Sequence, residues 1–287
     1  DLSLYDTLPD ELSKKMVTLT SNETGNRVRR PLRDVLRERY AEITAMDRAI
    51  GKLRSYLKDQ GLRDNTLLWY CGDNGTPPSG VACSPLRGLK GKVYEGGVRV
   101  PGIIEWPSRI KRPRQSNVNA VTSDMLPTLC ALAGSPVPNR PLDGINLVPL
   151  LEGKMSSRPS PICFWMYRPP REGRREREPY IDPELQKGTT PLVKRLGGLL
   201  TRNFVNQRYT MITKYDFAGP RAILGNRYKL VVDGEKDGVT QLFDLQNDPA
   251  EQNDLLTAKP DVASTLQTQL QQWQASALNS LLGKDYR

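Results

Sequence analysis

Residues 65–101 read NTLLWYCGDNGTPPSGVACSPLRGLKGKVYEGGVRVP, and this stretch decides the fold. Residues 67–71 are apolar or β-favouring and stop abruptly at Gly72-Asp73-Asn74-Gly75, so they read as a buried strand running out into a tight loop. In open α/β sheets ligands bind in the crevice beyond the carboxyl ends of the strands, where this loop falls. Asp73 and Asn74 both offer hard oxygen donors, which suit Mg²⁺ or Ca²⁺ better than a soft metal. The same residues also read as a plain turn, because Asn and Asp enter left-handed conformations cheaply.

The next segment, residues 86–101, weighs against a plain turn. LRGLKGKVYEGGVRVP carries four glycines among five charged residues. Glycines at that density let backbone approach a ligand or another backbone closely, and a lysine set among them reaches an anion without crowding. The two segments together suggest a cation beside an oxyanion.

The order GDNG, then LRGLKGKVYEGGVRVP, then GIIEWP resembles the second half of the catalytic domain of formylglycine-dependent sulfatases, in the alkaline phosphatase superfamily. The resemblance implies that Asp73 and Asn74 are ligands of Ca²⁺ or Mg²⁺, and that Lys90, not Lys92, contacts a sulfate oxygen. It gives Glu95 and Arg99 a structural ion pair within the loop. It continues through SDMLPTLCALAG (123–134), LDGINLVPLL (142–151), RYKLV (227–231) and LFDLQNDPAEQNDL (242–255). The last two resemble the C-terminal subdomain of sulfatases, where they serve structure more than chemistry. The nucleophile implied is a formylglycine made from a Cys or Ser upstream of this chain. Cys83-Ser-Pro-Leu-Arg87 formally fits the C-x-P-x-R pattern of the converted Cys. In the family that Cys lies well before the DNG loop and opens a helix, so Cys83 reads as an ordinary thiol or disulfide.

Composition bounds the remaining possibilities. At 287 residues the chain is long enough for one large domain or two smaller ones. There is no histidine, which excludes every His-based base, nucleophile or zinc ligand from these residues. No apolar run is long enough to span a bilayer. The start, Asp-Leu-Ser-Leu-Tyr, has neither an initiator Met nor a signal-peptide pattern, so a piece of a longer protein is expected. The net charge of +10 is read as solvated loops carrying an excess rather than a uniformly basic face. Residues 154–180, rich in Arg and Pro and most so at RPPREGRREREP (168–179), are read the same way, with a polyanion-binding loop as the sharper alternative. Cys71, Cys83, Cys130 and Cys163 have no CxxC spacing, so neither a metal knuckle nor a dense disulfide scaffold is indicated.

Taken in order, residues 1–30 read as polar and irregular, with a turn at Gly25-Asn26. From Pro31 apolar residues recur at three- and four-residue steps to Leu57, predicting a helix stopped by Gly61. Residues 102–106 read as a second short buried strand. Residues 123–134 read as a helix with Ser123 as N-cap and an apolar face of Leu126, Leu129, Cys130 and Ala133. Residues 222–224, 227–232 and 240–245 read as an antiparallel sheet, and Val262, Leu266, Leu270, Trp273, Leu278 and Leu281 form the stripe of a last helix that packs on it.

The fold class expected is α/β: part of a layered α/β/α sulfatase-like core (residues 1–153), with a smaller C-terminal antiparallel sheet and helix (residues 154–287). The function expected is sulfuric ester hydrolysis of a sulfated small molecule or sulfated polysaccharide. Neither nucleic acid nor a membrane span is expected, and residence is periplasmic, secreted or lysosomal by resemblance. The alternatives are a phosphatase or phosphonate hydrolase of the same superfamily, and a non-catalytic polyanion-binding protein. The isolated chain is expected to be inactive, with one carboxylate, one amide and one lysine in hand.

Overall fold

A computed structural model describes residues 1–21, 26–77, 84–167, 177–179, 195–196, 199–200, 207–234 and 238–286. Cys83, Gly25 and most of the Arg-rich segment lie outside them. The chain divides into two compact units, Asp1–Asp64 with Pro179–Gln207, and Asn65–Glu178 with Arg208–Arg287.

The first unit opens with an unforeseen hairpin, β1 (Met16–Thr20) paired antiparallel with β2 (Arg27–Pro31). The run MVTLT alternates in exposure along the strand, a period-2 pattern that its two threonines mask as polar loop. Pro31 ends β2 and caps α1 (Leu32–Asp59), which stops before Gly61 at φ +67°. Only the first turns of α1 are buried, at Leu32, Val35, Leu36 and Ala41. The later part of the expected stripe, including Ile43, Met46 and Leu53, is exposed. The leading residues bind α1 through side chains: Tyr5 Oη and Thr44 Oγ1 are 2.6 Å apart, and Arg33 donates to the carbonyls of Asp6 and Leu8.

The second unit carries the diagnostic stretch. Strand β3 (Leu68–Cys71) pairs antiparallel with β4 (Gly102–Glu105), in the register Leu68↔Glu105 to Cys71↔Gly102. Both were expected to be buried; β3 is half-buried and Ile103 on β4 is 63% exposed, because two strands alone cover little of each other's faces. Between them lies the single turn α2 (Glu95–Val98). Helix α3 (Met125–Ala133) ends at Gly134, φ +66°, where the sequence stops it. Its start and face differ from expectation. Asp124, not Ser123, closes the first turn by accepting the Val121 N–H at 2.9 Å. Leu126 and Leu129 are about half exposed and Cys130 is only partly covered, while Pro127 and Thr128 are buried. Burial follows the Asp124–Thr128 side because the Thr128 hydroxyl accepts from the Leu147 N–H just before α4 (Val148–Leu151).

Strand β5 (Ile162–Trp165) was not foreseen as a strand. Four short strands fall between residues 177 and 209, β6 (Arg177–Pro179), β7 (Arg195–Leu196), β8 (Leu199–Leu200) and β9 (Gln207–Tyr209). The expected antiparallel sheet then forms from β10 (Arg221–Leu224), β11 (Tyr228–Asp233) and β12 (Val239–Asp244), with β5 as an added edge, in the order β12-β11-β10-β5. Its faces have different partners, as alternation along each strand requires. Ile223, Leu230, Val232 and Leu242 face α5 (Pro260–Leu281), burying Leu266 and Leu270 of the expected stripe together with Ala263, which was not in it, while Val262 and Trp273 are only partly covered. Ala222, Val231 and Phe243 face the other way, against Val93 and Tyr94 just ahead of α2. Cys163 packs with the α5 cluster, and burial pushes its thiol up to about 12, making it an inert core residue.

Candidate active site

Three loops meet at the carboxyl end of β3. Gly75 N–H donates to the Gly97 carbonyl and Thr76 N–H to the Gly96 carbonyl, both at 2.9 Å. Lys90 N–H donates to the Thr76 carbonyl at 2.7 Å, and Gly96 N–H to the Arg87 carbonyl at 2.6 Å. The loop of Asp73 and Asn74, the loop of Lys90 and the start of α2 are therefore one hydrogen-bonded layer. Gly88 and Gly91, at φ +82° and +84°, bend the middle loop around it.

The glycines are needed for proximity. A Cβ on Gly75 would lie 2.2 Å from the Gly96 carbonyl oxygen, a contact only backbone movement relieves. We expect Gly75→Ala to cost about 1–3 kcal/mol, the range for overpacking. Gly51→Ala is the control: its Cβ meets nothing within 4 Å in mid-α1, so helix propensity should leave it neutral or up to about 1 kcal/mol more stable. Urea midpoints of the two variants check this, and equal midpoints would refute the steric account.

Asp73 is exposed and Asn74 half-buried at the loop's open side. The Asn74 amide nitrogen donates to the Gly75 carbonyl at 3.0 Å, which leaves the amide oxygen as the donor available to a cation. One carboxylate and one amide oxygen fit Ca²⁺ or Mg²⁺ in kind, though not in number, since such ions take about six to eight oxygens. Among the described residues no group of three or more His, Cys, Asp or Glu side chains converges as a metal site. Lys90 and Lys92 are both exposed. Their backbones distinguish them: Lys90 is tied to the Thr76 carbonyl, whereas Lys92 N–H closes a local turn onto Leu89.

Glu95 corrects the expected ion pair. Its carboxylate accepts from Lys229 of β11, with Nζ to Oε1 at 2.8 Å, and not from Arg99, whose backbone N–H bonds the Glu95 carbonyl. Lys229 also lies 3.0 Å from Oε1 of Glu251, out of line for a hydrogen bond, while Oε2 of Glu251 accepts the Glu95 N–H at 2.7 Å. All three residues are buried. Burial pushes the Glu251 carboxyl up, against the opposing pull of the Lys229 ammonium. Arg87 stacks 3.9 Å above the Tyr94 ring and donates to its hydroxyl, which donates on to Gln241 of β12. Sequence reasoning missed Lys229, Glu251 and Gln241, which lie far along the chain from the loops. One signal was present: in YKLVVD, alternation puts Lys229 on the same face as apolar Val231.

This layer of loops on the end of a strand, backed by an antiparallel sheet, belongs to the α/β fold of sulfatases, and residues 5–135 match the family model for the Sulfatase family. Through that segment the chain is similar to the Sulfatase family. Arylsulfatase A from Homo sapiens is 40% identical over 124 residues, 42% of this chain and 24% of the relative. Arylsulfatase A from Bos taurus is 37% identical over 149 residues, 50% of this chain and 28% of the relative. The chain thus spans about a quarter of the length of these relatives. Among solved structures, Ps i-CgsB, also crystallised with k-i-k-neocarrahexaose, superposes with a TM-score of 0.58 at 25% identity, covering 81% of this chain and 41% of the other.

Proposed function

We propose that this chain carries part of the active site of a sulfuric ester hydrolase that cleaves sulfate monoesters. Asp73 and Asn74 supply two cation ligands and Lys90 grips a sulfate oxygen. The observation that carries the reading is the hydrogen bond from Lys90 N–H to the Thr76 carbonyl, which roots the lysine on the loop that bears Asp73 and Asn74. A Ca²⁺ or Mg²⁺ ion held there would act as a Lewis acid toward the sulfate oxygens. The exposed Lys90 ammonium meets negative charge on the oxygens of the transferring group, and its preorganised backbone means that little is reorganised as that charge grows. Asp73 contributes the anionic ligand, and the Gly75–Gly97 and Thr76–Gly96 hydrogen bonds keep it aimed outward.

The nucleophile proposed is a formylglycine upstream of these residues, which would also bring the remaining cation ligands. The substrate class is a sulfated small molecule or sulfated polysaccharide, and the neighbour crystallised with k-i-k-neocarrahexaose supports a saccharide. A periplasmic, secreted or lysosomal setting goes with this reading; no helix among the described residues is long and apolar enough to cross a membrane. Residues 154–287 are proposed to act as a C-terminal subdomain built around the β5, β10–β12 sheet and α5.

The test is an arylsulfate assay on the purified 287-residue chain with added Ca²⁺ or Mg²⁺, beside the chain joined to an amino-terminal sulfatase part. The chain alone should show no turnover, and the joined protein should turn over sulfate esters in preference to phosphate and phosphonate esters. Turnover by the lone chain that disappears in Cys83→Ala would place the nucleophile here. Preference for phosphate or phosphonate esters would move the protein to the phosphatase or phosphonate hydrolase branch.

A further inference from the structure

We propose that Lys229 and Glu251 are positioning residues, which hold the loop of Asp73 and Asn74 and the root of Lys90 from behind. The buried triad grips Glu95 twice: Lys229 Nζ holds its side chain at 2.8 Å, and Glu251 Oε2 holds its backbone N–H at 2.7 Å. Glu95 immediately precedes Gly96 and Gly97, whose carbonyls accept the N–H groups of Thr76 and Gly75. Thr76 in turn accepts from Lys90. The connection from β11 to the candidate ligands thus runs through five short polar contacts, with no solvent-exposed member behind Gly96.

Two glycines in sequence have no side chains with which to fix their own orientation, so the residue before them must supply it. An ammonium facing two carboxylates with none of the three in water is a poor way to stabilise a sheet, because apolar residues of similar volume commonly do as well or better. What the charges add is direction. They fix the Glu95 peptide, and with it the acceptors on which Gly75 and Thr76 hang. Glu251 is the one non-glycine residue with positive φ among the described residues, +56°, a backbone cost borne where its carboxylate reaches Glu95. The inference rests on the proposed function only for what the positioned loop does; the positioning itself is independent of substrate.

The experiment is residue-resolved hydrogen exchange on the full chain without cation or substrate. In Lys229→Met, which leaves two buried carboxylates without their cation and so lowers global stability too, the amides of Gly75, Thr76 and Lys90 should be accelerated roughly ten-fold or more beyond those of Ile223, Leu242 and Leu270 in the sheet and α5. Unchanged protection at Gly75, Thr76 and Lys90 would overturn the proposal. So would equal acceleration everywhere, which marks a general contribution to stability. Should Lys229→Met fail to fold, Glu251→Asn decides on the same amides. Asn accepts the positive φ but falls a methylene short of the Glu95 N–H, so these three amides should again exchange several-fold faster than the rest. Because nothing is hydrolysed in this measurement, it stands or fails whatever the assay on sulfate esters returns.

Discussion

In the chain joined to an amino-terminal sulfatase part, Asp73→Ala should lower cation affinity and turnover together, whereas Lys90→Ala should leave the cation bound and cut turnover by roughly 10²–10³, the loss typical of one oxyanion contact. The difference follows from the two side chains' roles. Asp73 is proposed as the anionic donor of a two-oxygen partial site, and its removal would leave only the neutral amide oxygen of Asn74 for the cation. Lys90 gives no oxygen to a metal. Its charge is proposed to act on the substrate, so its loss should appear in turnover rather than in metal titration. Lys92→Ala is the internal comparison. Its backbone closes a turn onto Leu89 and makes no bond to the Asp73 loop, so it should cost less than ten-fold. Calorimetric Ca²⁺ or Mg²⁺ titration alongside steady-state rates separates the cases. Equal, small effects at Lys90 and Lys92 would mean that the wrong lysine has been assigned.

The largest expected loss of stability lies away from the site. Asp124 is fully buried and accepts four hydrogen bonds, from the backbone N–H groups of Val121 and Ile145 and from two nitrogens of Arg158 at 2.7 and 2.8 Å. Arg158 is equally buried, and its own peptide is held by reciprocal bonds with the Asn226 amide. Arg158→Met removes half the donors of a carboxylate that water cannot reach. We expect it to cost about 3–5 kcal/mol, the range for breaking a buried pair from one side. The double variant Asp124→Leu with Arg158→Met leaves no orphaned charge and should cost less than the sum of the single changes. Denaturant titration at unchanged m-value measures both. A loss below about 1 kcal/mol in Arg158→Met would show that the pair is solvated on opening and contributes as little as a surface bridge.

The parts of this protein legible in its sequence are those whose physics is local. GDNG after an apolar run announces a loop at a strand end, and LKGKVYEGG announces a backbone crowded enough to need glycine; both are observed, and with them the Thr76–Lys90 bond that brings the two together. Helix α1 with its stop at Gly61, the three strands β10–β12 and the buried stripe of α5 follow from period and turn chemistry alone. The hairpin β1–β2 escaped because a short strand rich in Thr carries the same polarity as a loop, and β5 because it was read as part of an Arg- and Pro-rich segment.

Which polar groups face one another was decided only by the tertiary structure. Glu95 lies 134 residues from Lys229 and 156 from Glu251, so the partner assigned to it from sequence was the near one, Arg99, where the folded chain supplies a lysine from across the sheet. The choice of buried side on α3 has the same origin. Leu126 and Leu129 are the more apolar residues, yet Thr128 is the one covered, because its hydroxyl and the Asp124 carboxylate meet the backbone of residues 145–147. Hydrophobic period predicts where a helix or strand runs; it does not carry the long-range pairing of buried charges and backbone donors, since that energy exists only once distant segments exclude water from each other.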